Sequence, residues 1–263
     1  MDTEIHIVDA FTGTAFHGNP AGVCITDHEP DPVWMQQVAA ELKHSETAFL
    51  HRAPGGWNLR WFTPASEVDL CGHATLAAAF VLWNSGKTDK SAKIPFLTRS
   101  GTLTAWLENG KIALDFPAVP VKRCEPPEGL FAALGSSCVF TGMTQYDILA
   151  ELPAASDVCD LDPDMDALHA IHARGIIVTA AADTGEYDFV SRFFAPAVGV
   201  PEDPVTGSAH CTLGPFWGER LHLTRLTGFQ CSTRGGIVRL ILNGDRVILT
   251  GDAVLVSSGK LLV

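Results

Sequence analysis

The sequence predicts an α+β protein of two similar lobes, each organised around one buried helix. The first observation is the stretch over 72–82, where Ala, Leu, Phe and Val surround the predicted helix, as expected of a helix packed on all sides. The second is an internal repeat. The segment RWFTPA at 60–65 returns 132 residues later as RFFAPA, and Gly72-His-Ala returns 135 residues later as Gly207-Ser-Ala.

The two copies stay in register downstream of each helix. TRSG at 98–101 returns as TRGG at 233–236, and each is followed by alternating apolar residues around an Asn-Gly pair, at 109–110 and 243–244. An Asn-Gly pair between apolar runs is the strongest short signal for a β-hairpin. These landmarks indicate two copies of one unit, and two buried helices predict a cleft where the helix starts meet.

Composition and charge exclude several classes of function. The chain has 263 residues, of which 18 are basic and 30 acidic, and a net charge of −12. Nucleic acid and anionic membranes need clustered Lys and Arg, so neither is an expected partner. The first residues do not resemble a secretion signal, and no apolar run has the length of a transmembrane helix. A cytoplasmic protein is therefore expected.

Cysteine and proline positions bear on redox state and lobe boundaries. The seven cysteines include no CxxC pair and no disulfide-framework spacing, so reduced thiols are expected rather than bridges. A proline-rich segment over 116–127 marks the lobe boundary. We predict an N-terminal lobe over 1–118 and a C-terminal lobe over 119–251, with the last strand, 252–263, as a candidate to complete the N-terminal lobe.

The elements of both lobes follow from periodicity and end signals. The N-terminal lobe is predicted to contain a strand over 4–10, a loop over 11–21, a strand over 22–26, a helix over 31–42, a strand after Glu46, and the first buried helix. The C-terminal lobe is predicted to contain a helix over 129–134, strands over 137–141 and 146–152, a helix over 162–173, a strand over 175–180, and the second buried helix.

The start of the first buried helix is a candidate binding element. Its first turn offers unpaired N–H groups and the positive end of the helix dipole, which suit a carboxylate at Gly72 and His73. A lone histidine beside an apolar helix is usually a satisfied core residue, but His73 is also placed to hydrogen-bond a substrate or a carboxylate. Asn19 lies in a turn signal, which taken alone indicates a tight connection.

Two acids are candidates for proton transfer. Glu46 opens an apolar strand, where it is either a solvated edge residue or a base whose pKa is raised by burial. The matching strand of the second copy has no acid at Arg174 or Gly175; instead, Asp203 precedes the second buried helix. Asp203 is either part of a turn or the partner of Glu46 across the cleft.

Thiol, metal and nucleotide chemistry have weaker support. Cys71 precedes a helix start, where a thiolate is favoured, but Thr206 holds the matching place in the second copy, so no second thiol completes a two-base racemase. The cysteines and histidines lack zinc-site spacing, so no metal is expected. No glycine-rich phosphate loop and no GxSxG elbow occur, so no cofactor is expected.

Four motifs together resemble the PhzF-like, or phenazine-biosynthesis-like, isomerases. They are VDAFTGTAFHGNPAGV at 8–23, SETAF at 45–49, LRWFTPASEVDLCGHAT at 59–75 and EDPVTGSAHC at 202–211. That family shares the fold of diaminopimelate epimerase, which implies two lobes, each a mostly antiparallel sheet curled around its central helix, with the active site between them. The resemblance places the catalytic groups on Glu46, His73 and Asp203. It places the substrate-binding contacts on Asn19, Gly72, Gly207 and Ser208.

The resemblance implies a cofactor-independent isomerase of the trans-2,3-dihydro-3-hydroxyanthranilate isomerase type. Glu46 would move a proton within a small carboxylic acid held by the helix starts, which also stabilise the developing charge. A biosynthetic role and a homodimer are further expectations. Two alternatives stay open: an epimerase or racemase that uses Cys71 with another acid, and a non-catalytic protein that binds small acids.

Overall fold

A computed structural model describes residues 3–183 and 185–263. The chain divides into two compact units. Unit 1 combines Met1–Phe116 with Ile248–Val263, and unit 2 is Pro117–Val247. No helix in the described ranges is both long and apolar enough to cross a membrane.

Unit 1 contains two helices and a mixed sheet. Its elements are β1 (Thr3–Ala10), β2 (Asn19–Thr26), α1 (Pro32–Leu42), β3 (Glu46–Ala53), β4 (Gly56–Phe62), β5 (Glu67–Val68), α2 (Gly72–Asn84), β6 (Ile94–Thr98), β7 (Gly101–Glu108) and β8 (Lys111–Pro117), with β18 (Ala253–Leu261) added from the end of the chain. The strands pair in the order β18-β1-β2-β3-β4-β6-β7-β8, and only β2–β3 and β4–β6 are parallel among these pairs.

Unit 2 repeats this arrangement. Its elements are β9 (Lys122–Arg123), α3 (Leu130–Leu134), β10 (Phe140–Met143), β11 (Asp147–Glu151), α4 (Ala155–Cys159), α5 (Met165–His169), β12 (Gly175–Ala181), β13 (Phe189–Ala195), a 3₁₀ turn (Pro196–Val198), β14 (Val200–Glu202), α6 (Gly207–Leu221), β15 (Arg225–Gln230), β16 (Gly236–Asn243) and β17 (Arg246–Gly251), which extends beyond the unit boundary. The order β9-β10-β11-β12-β13-β15-β16-β17, with β11–β12 and β13–β15 parallel, matches unit 1 strand for strand.

The repeat extends to a pair of partly buried arginine forks. In unit 1, Nε and Nη2 of Arg60 donate to the two carboxylate oxygens of Glu67 at 2.8 and 2.9 Å. In unit 2, the same two nitrogens of Arg192 donate to Glu202 at 2.7 and 3.0 Å. Such planar two-bond pairs fix orientation as well as charge. The predicted internal repeat is therefore visible in side-chain chemistry as well as in strand order.

The two predicted buried helices begin where expected. In α2, all but two residues are buried, and the helix contacts β1, β2, β3 and β18. In α6, the buried residues include the first, Gly207, and the helix contacts β15 and β16. The composition of α2 accounts for its burial, because a helix without a polar face is stable only when it is covered.

The helix predicted over 162–173 is wrong in extent. The structure has only α5, which begins after Asp164, whose Oδ1 accepts from the Ala167 N–H at 3.0 Å. An Asp-Pro pair can start a helix, as Asp31 and Pro32 do in α1, but here the side-chain cap at Asp164 sets a later boundary. The short helix α4 was not predicted.

The expectation of reduced thiols throughout is also wrong. Cys159, at the end of α4, forms a disulfide with Cys231, which follows β15, and their Cα atoms are 5.4 Å apart. A sequence separation of 72 residues carries no spacing signal, because only the tertiary fold brings the two cysteines together.

Candidate active site

A buried cluster in unit 1 surrounds the start of α2. His73, in the first turn, is 3 % exposed, and its Nε2 lies 3.2 Å from Oε2 of Glu46 at the start of β3. On the other side of the ring, Nδ2 of Asn19 lies 3.1 Å from Nδ1 of His73. An amide nitrogen only donates, so this contact makes Nδ1 the acceptor and puts the ring proton on Nε2, facing Glu46.

The imidazole of His73 is neutral at physiological pH. Burial, with a smaller contribution from His44, lowers the pKa of His73 to about 3. The contact with Glu46 has the distance of an ion pair, but the pKa makes it a contact between a neutral N–H and a carboxyl group. His73 therefore places a neutral ring, and no positive charge, beside Glu46.

The loop before β2 places Asn19 against His73. The carboxylate of Asp9, which is 2 % exposed, accepts from the Phe16 N–H at 2.6 Å. Gly18 then has φ +65°, and a Cβ there would lie 2.2 Å from the carbonyl oxygen of Ala10. Only glycine fits both the conformation and the space. The turn at 17–20 thus sets the backbone position from which the Asn19 side chain contacts His73.

Three side chains of this cluster form a candidate metal-binding group. One donor atom each of Glu46, Cys71 and His73 lies within 4.8 Å of the others. The sequence had predicted no metal because the spacing of these residues matches no common zinc pattern. The grouping arises from the packing of α2 against β3.

Unit 2 places an acid and a hydroxyl before its buried helix. Asp203 is 8 % exposed, and its Oδ2 accepts from Oγ1 of Thr206 at 2.6 Å. Thr206 is the N-cap of α6, and Gly207 and Ser208 form the first turn behind it. No acidic side chain occupies that first turn. An anion is therefore suited to the positive end of α6.

Sequence reasoning did not identify a guanidinium at the start of α6. Nη2 of Arg174 lies 3.3 Å from Oγ of Ser208, and Nε donates to Oδ1 of Asp147 at 2.9 Å. Burial alone would lower the pKa of Arg174, but the hydrogen bonds and charge of Asp147 outweigh it and raise the pKa. The sequence did contain one indication of this residue, namely its position in the repeat. Arg174 directly precedes β12, as Ser45 directly precedes β3.

A steric constraint explains why unit 2 has no counterpart of Glu46. Glu46 is the first residue of β3, which pairs in parallel with β2, and Ala21 lies beside it. Gly175 is the first residue of β12, which pairs in parallel with β11, and Asp147 lies beside it. Gly175 is therefore the position in unit 2 that corresponds to Glu46. A Cβ on Gly175 would lie 2.3 Å from the ring of Phe193. No side chain fits there unless that ring moves.

The predicted site residues thus form two local groups. Asn19, Glu46, Gly72 and His73 belong to unit 1, where Asn19 and Glu46 both contact His73. Asp203, Gly207 and Ser208 belong to unit 2, where Thr206 contacts Asp203 and Arg174 contacts Ser208.

A cavity of about 590 Å³ in unit 1 lies apart from these residues. Its lining includes the carboxylates of Glu4, Asp27, Glu29 and Asp31, with one lysine, Lys87. An acidic lining does not suit a carboxylate ligand, and none of the predicted site residues belongs to it. The helix-start groups are the better candidates.

Comparisons with known proteins identify the family of the chain. Residues 8–259 match the family model described as phenazine biosynthesis-like protein, PhzC-PhzF. The chain is 48 % identical to an uncharacterized isomerase of Halalkalibacterium halodurans, covering 100 % of both chains. It is 44 % identical to an uncharacterized isomerase of Pseudomonas aeruginosa, covering 99 % of each.

Solved structures show the same fold. The crystal structure of a PhzF family protein from Enterococcus faecalis superposes with a TM-score of 0.95 at 39 % identity and covers 100 % of both chains. A probable proline racemase from Agrobacterium radiobacter shares the fold alone, with a TM-score of 0.67 at 12 % identity, over 99 % of this chain and 93 % of that one. The α+β fold class of the epimerase type is confirmed, and the chain belongs to the phenazine biosynthesis-like (PhzC-PhzF) family of isomerases.

Proposed function

We propose that the protein moves a proton within a small carboxylic acid without a cofactor, and that Glu46 is the base. The supporting observation is the 3.2 Å contact between the Glu46 carboxyl group and the neutral imidazole of His73. A base works best when its proton affinity suits the operating pH. A positively charged neighbour would oppose protonation of Glu46, whereas a neutral imidazole permits it.

The substrate carboxylate is proposed to bind at the helix starts, with Gly72 in unit 1 and Gly207 and Ser208 in unit 2. Helix N-termini stabilise an anion, and the same dipoles stabilise the negative charge that develops when a carbon beside the carboxylate loses its proton. We further propose that the acid binds between the two units. Asn19, His73 and Asp203 would orient hydroxyl or amino groups on it.

We propose a cyclic or unsaturated acid as the substrate, of which trans-2,3-dihydro-3-hydroxyanthranilate is the example that the family resemblance suggests. Glu46 would take a proton from one carbon and return it to another on the same face. The chemistry needs one acid–base group and charge stabilisation, both of which this chain's own residues supply.

The test is a screen of small cyclic and unsaturated carboxylic acids with the enzyme in deuterium oxide. NMR and mass spectrometry should detect solvent deuterium at carbon in at least one acid or its isomer. Glu46→Gln, which is nearly isosteric, should lower the labelling rate at least about 100-fold. Calorimetry should show that this variant still binds the acid, because the helix starts are intact.

Glu41→Gln is the matched control, since Glu41 is an exposed glutamate on α1, and it should label at the wild-type rate. Absence of deuterium in every acid that binds would contradict proton transfer and favour a binding protein. Equal labelling by wild type and Glu46→Gln would remove Glu46 from the mechanism.

A further inference from the structure

One fully buried side chain holds the turn before α6. Gln230, the last residue of β15, is 0 % exposed. Its Oε1 accepts from the Thr206 N–H at 2.8 Å, and its Nε2 donates to the carbonyl oxygen of Asp203 at 2.6 Å. The orientation of the amide is fixed, because a backbone N–H only donates and a carbonyl only accepts.

The same amide sets the direction of a second hydrogen bond. Nε2 of Gln230 also donates to Oγ1 of Thr206 at 3.2 Å. An amide nitrogen cannot accept, so the hydroxyl proton of Thr206 points elsewhere, and its 2.6 Å partner is Oδ2 of Asp203. The Thr206 side chain makes no capping bond to the backbone of α6. Donation therefore runs from Gln230 through Thr206 to Asp203.

This relay has no counterpart among the described residues of unit 1. In unit 1 the parallel pair β4–β6 aligns Trp57 with Phe96, and in unit 2 the parallel pair β13–β15 aligns Phe189 with Gly228. Two residues further along β6 and β15, Thr98 corresponds to Gln230. The Thr98 hydroxyl instead donates to the carbonyl oxygen of Gly101 at 2.6 Å. The relay is thus found in the unit that carries Asp203.

We propose that Gln230 is a positioning residue that fixes the carboxylate of Asp203 where it orients the bound acid. By holding the Thr206 hydroxyl on Oδ2, Gln230 sets the direction of this carboxylate before α6. The Thr206 proton stays in place while Glu46 moves the substrate proton. This role rests on the proposed function, whereas the hydrogen-bond direction does not.

The direction is tested without a substrate. Neutron diffraction from deuterium-exchanged crystals should show a deuteron on Oγ1 of Thr206 directed at Oδ2 of Asp203. A deuteron on Oδ2 itself, or a hydroxyl turned away, would overturn the proposal. If the deuteron is in place and yet no acid is labelled in the screen, the relay stands and the proposed proton transfer is at fault.

The role is tested with Gln230→Met, which keeps the length of the side chain and removes all three bonds. It should lower the rate of deuterium labelling about tenfold or more and displace its pH profile, because Asp203 loses its fixed geometry. Gln36→Met is the matched control, since Nε2 of Gln36 donates to the Thr63 carbonyl at 2.9 Å in unit 1. It should leave the profile unchanged.

Gln230→Glu guards against a variant that fails to fold. The introduced carboxylate cannot donate to Thr206, so activity should be low at neutral pH and recover as the pH falls and that group is protonated. A lowered melting temperature with an unchanged pH profile in both Gln230 variants would show a purely structural role and overturn the proposal.

Discussion

Sγ of Cys71 lies 3.6 Å from Nδ1 of His73, and both side chains are buried at the start of α2. The thiol thus contacts Nδ1, the ring nitrogen that also faces Asn19, and lies within 4.8 Å of a carboxylate oxygen of Glu46. Cys71 is the N-cap of α2 but makes no capping hydrogen bond. It is therefore placed as a small packing residue beside the imidazole.

Cys71→Ser should retain activity within about tenfold, because removing a true acid–base group costs about 10² to 10⁴ in rate. Serine is also a preferred N-cap, so the melting temperature should stay the same or rise. The measurement is deuterium labelling beside a thermal scan. If Cys71→Ser is as inactive as Glu46→Gln, and substrate protects the thiol from alkylation, the epimerase-like mechanism becomes the better explanation.

Acid should destabilise the protein through its buried histidines. Burial lowers the pKa of His73 to about 3 and that of His210 to about 4, although the Thr206 carbonyl opposes the shift of His210. Unfolding restores a pKa near 6.5, so the unfolded chain binds more protons below that pH. Stability from each histidine is therefore present above pH 6.5 and is lost as pH falls towards its folded value.

His210→Asn is the variant that tests this pH dependence, because an amide can still donate to the Thr206 carbonyl as Nδ1 does at 2.8 Å. Denaturant unfolding between pH 6 and 4.5 should show a shallower loss of stability than in wild type, by up to about 1.4 kcal/mol per pH unit. His222→Asn, at the end of α6, is the control. Parallel curves for wild type and His210→Asn would show that His210 is already charged in the folded protein.

The arginine forks should be a main source of charged stabilisation in each unit. Arg60→Lys and Arg192→Lys keep the charge but lose the planar two-bond geometry, and each should cost about 1 to 2 kcal/mol of unfolding free energy. Arg99→Lys is a matched control. Arg99 contacts the same Glu67 at 2.8 Å but is 57 % exposed, so it should cost at most about 0.5 kcal/mol. Equal losses of unfolding free energy in all three variants would mean that the planar two-bond geometry does not contribute to stability.

The Cys159–Cys231 disulfide should stabilise unit 2 by restricting its unfolded chain. Closing a loop of 72 residues is worth about 4 kcal/mol in the chain-entropy model, although measured gains are often smaller. Oxidised protein should melt higher than reduced protein, and Cys159→Ser should abolish the difference. Cys138→Ser, which changes a cysteine outside the bond, should preserve it. Five free thiols in the oxidised protein, measured under denaturing conditions, would agree with one bond.

Sequence patterns predicted the elements whose stability depends on local signals. The Asn109-Gly110 pair does join β7 to β8, with Glu108 opposite Lys111, because a two-residue turn determines its own register. The first buried helix followed from its apolar composition, and the second followed from the internal repeat. By contrast, the pairing of Arg174 with Asp147 and the bonds of Gln230 with Asp203 join residues 27 apart in sequence. Such contacts leave no periodic pattern in the sequence, because the residues come together only in the folded chain.

The pairing of β18 with β1 determines the order in which the chain can fold as the ribosome makes it. All of unit 2 is synthesised before Ala253–Leu261 emerges to pair with Thr3–Ala10. One edge of β1 therefore has no partner strand during the time in which unit 2 is made and becomes able to fold. During that interval the nascent chain exposes an unpaired edge that other strands can join. Synthesis at low temperature, or with a chaperone that covers extended segments, should favour the correct partner over aggregation.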